Sequence, residues 1–282
     1  MKKSSNRKHR KKQFRLNWHL LLFALILIIA ATAIIKLVIW NAGTKSDFDP
    51  AHIAEGGDVE PLDTIIPLSD SKLEGHEDDG VMTVLCLGNN PLTDETGERG
   101  FVSLLSSKTN ATVYNGGFPD STIGTKYSVY NEGYPRDNFN LPHVAQSICS
   151  GDFSRMEAAS SAESNPIYAE TVNTLKSIDY SKIDMIAIIY DGTDYLAGIP
   201  SDNPNDPYEI SAYTGGLRTA IEAIQNSYPY IRIVVMSHTF AQSIDANGNF
   251  QDGGSTDLGN GAFPHYLLKE IDVSISCGVS II

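Results

Sequence analysis

Five short apolar runs rich in β-branched residues, at residues 81–87, 111–114, 185–190, 231–236 and 279–282, alternate with segments of helical period. Nothing else in the chain constrains its fold as strongly. Between the runs, Phe101, Leu104 and Leu105 share one helical face, as do Val144, Ile148 and Cys149, then Leu217, Ile221 and Ile224, then Tyr266, Leu267 and Ile271. Continuous apolar strands separated by amphipathic helices predict a parallel sheet buried on both faces. The expected fold is α/β, a flavodoxin-like doubly wound sheet. No internal repeat is visible.

In such sheets a ligand lies beyond the carboxyl ends of the strands, at the switch in strand order. Four of those ends are polar: Gly88-Asn89-Asn90-Pro91, Asn115-Gly116-Gly117-Phe118-Pro119-Asp120, Asp191-Gly192-Thr193-Asp194 and Ser237-His238-Thr239. Each has a plain local reading. Asn89, Asn90 and Pro91 suit a turn, Asp120 can cap a helix beginning Ser121-Thr122, and Asp191 and Asp194 can cap the segment that follows them. Together, four polar clusters at four strand ends are expected to line one pocket.

Over residues 81–282 these blocks resemble the SGNH (GDSL-like) hydrolases. In that family Gly-Asp-Ser follows the first strand, Asn and Gly follow the second, Gly-x-Asn-Asp follows the third, and Asp-x-x-His follows the fifth. The resemblance implies an ester hydrolase or deacylase acting on an acylated glycan or an envelope ester, with site positions at Asn90, Asp120, Asp191, Thr193 and Asp194, to which His238 is added by its place at the end of the fourth strand. Three departures fall on the chemistry. Asn90 stands where the family has its nucleophilic serine, and a carboxamide does not attack a carbonyl. Asp120 stands where a glycine N–H would face the oxyanion, which a carboxylate opposes. Thr193 replaces the asparagine donor, with Asp191 in place of the glycine. A second reading is therefore an inactive relative that binds a glycan or surface partner, with Tyr127, Tyr130, Tyr190 and Tyr195 as stacking surface; a third is a purely structural envelope protein. The fourth block would lie beyond Ile282, where the chain stops inside an apolar run, so a continuing sequence is expected.

Other chemistry has little support. His238 ends the fourth strand and can reach the same mouth, near Asp191 or Asp194, whereas His143 and His265 read as surface or packing residues. Asp245-Ala246-Asn247-Gly248-Asn249 echoes part of a calcium loop but lacks its distal Glu and reads as an Asn-Gly turn. No metal site is expected, and with no phosphate-binding glycine loop after any strand, no cofactor is expected either. Cys86, Cys149 and Cys277 match no metal spacing and read as free thiols, with Cys86 and Cys277 in apolar strand-like runs.

Charge divides the chain. Ten of its 21 Lys and Arg lie in residues 1–45 with no acid among them, leaving 11 against 34 acidic residues, a net of −23, in the remainder. A body that acidic repels phosphate backbones, which argues against nucleic acid as a partner. Residues 18–40 form an apolar span with a Trp at each end, about 34 Å long as a helix at ~1.5 Å per residue. Eight basic residues precede it. These features predict a basic cytoplasmic tail (1–17), a transmembrane helix (18–40), an acidic linker (41–80) and an extracytoplasmic body (81–282), hence a single-pass protein of the cell membrane with its N-terminus inside. The competing reading is a secretory signal cleaved after Ala31-Thr32-Ala33, but apolar residues continue past that site. On the anchored reading, the intact protein partitions with membranes and external protease digests the body. Recovery of a soluble species beginning near Ile34 would instead establish cleavage.

Overall fold

A computed structural model describes residues 65–282 apart from 75, 77, 238 and 239, together with residues 18, 23, 26, 27 and 30–32 near the N-terminus. Those seven N-terminal residues are helical and exposed. The basic tail, most of the 18–40 span and the linker as far as residue 64 lie outside the described residues. Among the described residues, no helix is long and apolar enough to cross a membrane. The chain divides into a unit at Met1–Glu60 and a larger one at Pro61–Ile282, and the fold that follows is that of the larger unit.

After a short helix α1 (Asp70–Leu73), strand β1 (Thr83–Gly88) leads through α2 (Asn90–Thr93) and α3 (Phe101–Thr109) to β2 (Thr112–Gly117). A long loop then enters α4 (Leu141–Ser150), α5 (Ser154–Ser160) and α6 (Ile167–Ser177), followed by β3 (Met185–Ile189), α7 (Thr193–Leu196), α8 (Tyr213–Ser227) and β4 (Arg232–Met236). A ribbon of β5 (Gln242–Ile244) and β6 (Phe250–Asp252), helix α9 (Phe263–Cys277) and β7 (Ser280–Ile281) complete it. The five apolar runs are the five strands of one sheet, in the order β2-β1-β3-β4-β7, and all pairs are parallel. That is the flavodoxin-like order expected from the alternation.

Successive residues of a strand face opposite sides, and two cores result. Leu85, Leu87, Ile186, Ile188, Ile233, Val235 and Ile281 face the larger one, packed with residues of α4, α5, α6, α8 and α9. Leu217, Ile221 and Ile224 of α8 are fully buried there, as their spacing predicted. Val84, Cys86, Ala187 and Ile189 face the smaller core, where Phe101 and Leu105 of α3 pack. α3 covers only part of this face. Beside it an apolar cavity of about 390 Å³ runs along Met185, Ala187, Val234 and Met236.

The structure corrects several readings. Leu104 is 46% exposed, so the inward face of α3 is carried by Phe101 and Leu105. Cys277 ends helix α9 instead of lying in a strand, while Cys86 is buried in β1, where desolvation pushes its thiol up to about 12. The β5–β6 ribbon was not anticipated as strands. Its connection is the expected turn: Asp245 Oδ1 accepts the N–H groups of Asn247 and Asn249, and Gly248 adopts φ +84°. Ordered contacts also start before residue 81. Ile66 N–H donates to Ser280 Oγ (2.9 Å) on the edge strand β7, and His76 stacks on Tyr230 at 4.4 Å.

At the end of β1, the backbone passes so close to β3 that a Cβ on Gly88 would lie 1.9 Å from the carbonyl oxygen of Ile189. Only glycine fits without parting the strands. Gly88→Ala is expected to destabilise the body by about 3 kcal/mol, as overpacking of rigid backbone does, read as a lowered midpoint in urea unfolding. A midpoint within error of the parent would show that β1 and β3 are not this close.

Candidate functional site

Three strand ends meet through side chains. Asn89, fully buried, donates from Nδ2 to Ser121 O (2.9 Å) after β2 and to Asp191 Oδ1 (2.7 Å) after β3, and its Oδ1 accepts Asp191 N–H (2.9 Å). It ties the loops following β1, β2 and β3 together. From the sequence, Asn89 reads as a turn residue within a pocket-lining cluster, with no partner assigned to its side chain. The signal available was its seat at the end of a fully buried strand, where an amide needs partners from other elements.

Asn90 sits beside it and is equally engaged. Its Nδ2 donates to Asp191 Oδ2 (3.0 Å) and reaches Thr193 Oγ1 (3.4 Å), while its Oδ1 accepts Asp120 N–H (2.9 Å). Asp191 in turn receives Thr193 Oγ1–H (2.5 Å) and Thr193 N–H (3.0 Å) on Oδ1. Asn90, Asp120, Asp191 and Thr193 thus converge as their strand-end positions implied. Asp120 is not the start of a helix. It occupies the left-handed region at φ +54°, a costly conformation for a residue with a side chain, and its N–H is already committed to Asn90.

Asp194 turns the other way. It is 1% exposed, and its two oxygens accept Ile123 N–H (2.9 Å) and Gly124 N–H (2.8 Å), clamping the loop after β2. Burial pushes its pKa up to about 7 against the pull of those two N–H groups, and the nearby Asp191 charge pushes the same way. His238 lies outside the described residues. Of the other histidines, His76, His143 and His265 do not line the pocket described next.

That pocket, about 240 Å³, opens beside the network. Its walls include Asp120, Lys126, Tyr134, Arg136, Tyr168 and Thr193. Tyr190 and Tyr195 are not stacking surface: both are buried, and Tyr195 Oη donates to Thr256 O at 2.9 Å. Tyr127 and Tyr130 are exposed, on the loop after β2. Among the described residues, no three His, Cys, Asp or Glu side chains are grouped to hold a metal ion.

No family model and no curated protein matches the sequence. Solved structures do. A protein from Lactobacillus plantarum shares 14% identity over 72% of this chain and 76% of its own, with a TM-score of 0.43. Chains from Bacteroides ovatus (10% identity, 72% of this chain and 84% of that one, TM-score 0.41) and Bacteroides uniformis (11%, 72% and 83%, TM-score 0.40) are each provisionally named GDSL-like lipases. At these identities and scores no residue role passes from one chain to the other.

Behind the site, Glu270 of α9 is 1% exposed and bonded to Tyr213, and burial raises its pKa to about 8. Both buried acids are easier to ionise in the unfolded chain. Their contribution to stability is therefore full below about pH 4, where both states are protonated, and is lost as pH rises toward and through about 7 and 8. Unfolding midpoints of the parent should fall between pH 5 and pH 8, and Glu270→Gln should flatten that slope. A parent more stable at pH 8 than at pH 5 would reverse the assignment.

Proposed function

We propose that the body is a ligand-binding relative of an ester hydrolase, presented outside the membrane by its N-terminal span, that holds a polar glycan-like ligand at the strand ends without cleaving an acyl bond. One observation carries this. The residue at the nucleophile position, Asn90, spends both ends of its amide on Asp191, Thr193 and the Asp120 N–H, so the position supplies no attacking group. The same contacts occupy the backbone donor that would otherwise stabilise an oxyanion. Activation of water by Asp191 is also poorly served. Its carboxylate oxygens are already occupied by hydrogen bonds from Asn89, Asn90 and both donors of Thr193. A pocket with hydroxyl, carboxylate and aromatic walls remains, and such walls suit a sugar better than an acyl chain.

The test is hydrolysis by the full chain in detergent. Turnover of p-nitrophenyl acetate should not exceed the buffer rate, since loss of a nucleophile in a hydrolase removes orders of magnitude in rate. Asn90→Ser alone should remain inactive, because the Asp120 N–H it frees stands beside a carboxylate that opposes an oxyanion, and the new hydroxyl would meet an Asp191 carboxylate still occupied by Asn89 and Thr193. Robust esterase turnover by the parent would overturn this reading and return the deacylase one, with another nucleophile or an activated water.

A further inference from the structure

Basic residues are scarce in the body (residues 81–282), 10 against 23 acids, yet three of them gather on the loop after β2 and on α5. Each is held over an aromatic ring. Lys126 Nζ lies 4.4 Å from the centroid of Tyr134 and 5.8 Å from that of Tyr127; the Arg136 guanidinium lies 5.9 Å from Tyr168, and that of Arg155 lies 4.4 Å from Tyr130. Among the described residues, these are all of the cation–π contacts, and Lys126, Tyr134, Arg136 and Tyr168 line the pocket. We infer that the pocket's ligand is an anionic saccharide, with a sugar ring against the aromatic wall and its carboxylate or phosphate at the Lys126 end. This rests on the binding reading above and adds the ligand's charge.

The acids nearby do not cancel the cations equally. Asp137 is buried, with its oxygens committed to the N–H groups of Lys126 and Tyr127 and to Asn140 Nδ2. Glu163 holds Arg136 in a bidentate bridge at 2.8 Å, which fixes that guanidinium and offsets its charge. Lys126 is exposed, with its ammonium over a ring. It is therefore the group best placed to meet an anion through a charge-assisted contact. Elsewhere in the lining Asp120 offers a carboxylate acceptor, suited to ligand hydroxyls and hostile to a second anion. Attraction of an anion to a body with 10 basic against 23 acidic residues, a net of −13, needs such a local reversal of sign.

The test measures binding to the full chain in detergent by calorimetry, with three probes: trigalacturonate, its methyl ester and glucose 6-phosphate. Trigalacturonate or glucose 6-phosphate, whichever carries the matching anion, should bind at least about tenfold more tightly than the uncharged ester, an advantage that salt reduces. Lys126→Gln, on an exposed loop, should remove that tenfold advantage of the charged probe over the methyl ester. Equal affinity for charged and uncharged probes, or no effect of Lys126→Gln, would overturn the anionic preference alone. Binding of none of the three would overturn the glycan-binding reading with it, whereas ester turnover with the preference intact would overturn only the non-hydrolytic part.

Discussion

The side chain of Asn89 is the contact on which the site depends. Buried at the end of β1, it reaches Ser121 after β2 and Asp191 after β3. A buried amide left without partners is costly, about 1–3 kcal/mol for each group, so three loops are held by the satisfaction of one residue. The close passage at Gly88 brings that amide within reach. If β1 and β3 stood further apart, Asn89 would not span both neighbouring strand ends, and Asn90 would not be held against Asp191.

Around that anchor the loop after β2 is pinned at several points. Asp194 takes the N–H groups of Ile123 and Gly124, Asn140 Oδ1 takes that of Thr122, and Asp137 takes those of Lys126 and Tyr127. A long irregular segment is thereby given fixed backbone positions with its polar groups paired, as a semi-buried loop requires. Its aromatic residues divide between two tasks. Phe139 packs inward against Tyr168 of α6, with centroids 4.7 Å apart, whereas Tyr127 and Tyr130 stay outside beside Lys126 and Arg155. The binding proposals draw on this pinned loop as much as on the strand ends.

The hydrolase resemblance and the geometry meet at Asn90. At the strand ends an amide is aimed at a carboxylate and a backbone N–H, so these polar groups face each other. The pocket remains open because the network closes on itself below the wall formed by Asp120 and Thr193, leaving the aromatic side accessible.

The sequence by itself determined the strands, their parallel pairing and the edge of the sheet where Asn90, Asp120, Asp191 and Thr193 would gather. Apolar runs and their spacing are local properties, and right-handed crossovers leave few ways to arrange them. It also determined the Asn-Gly turn at 247–248 and the concentration of basic charge ahead of an acidic body. Tertiary structure alone decided which polar and aromatic residues face which partner. Tyr190 and Tyr195 are buried, Leu104 is exposed and Cys277 ends a helix, although each had a reasonable local reading to the contrary. Asn89 became the tie among three loops, and Asp194 a loop clamp instead of part of the pocket wall. Burial and hydrogen bonding of a side chain depend on what another segment brings against it, and a reading of period and spacing along one segment carries no record of that partner.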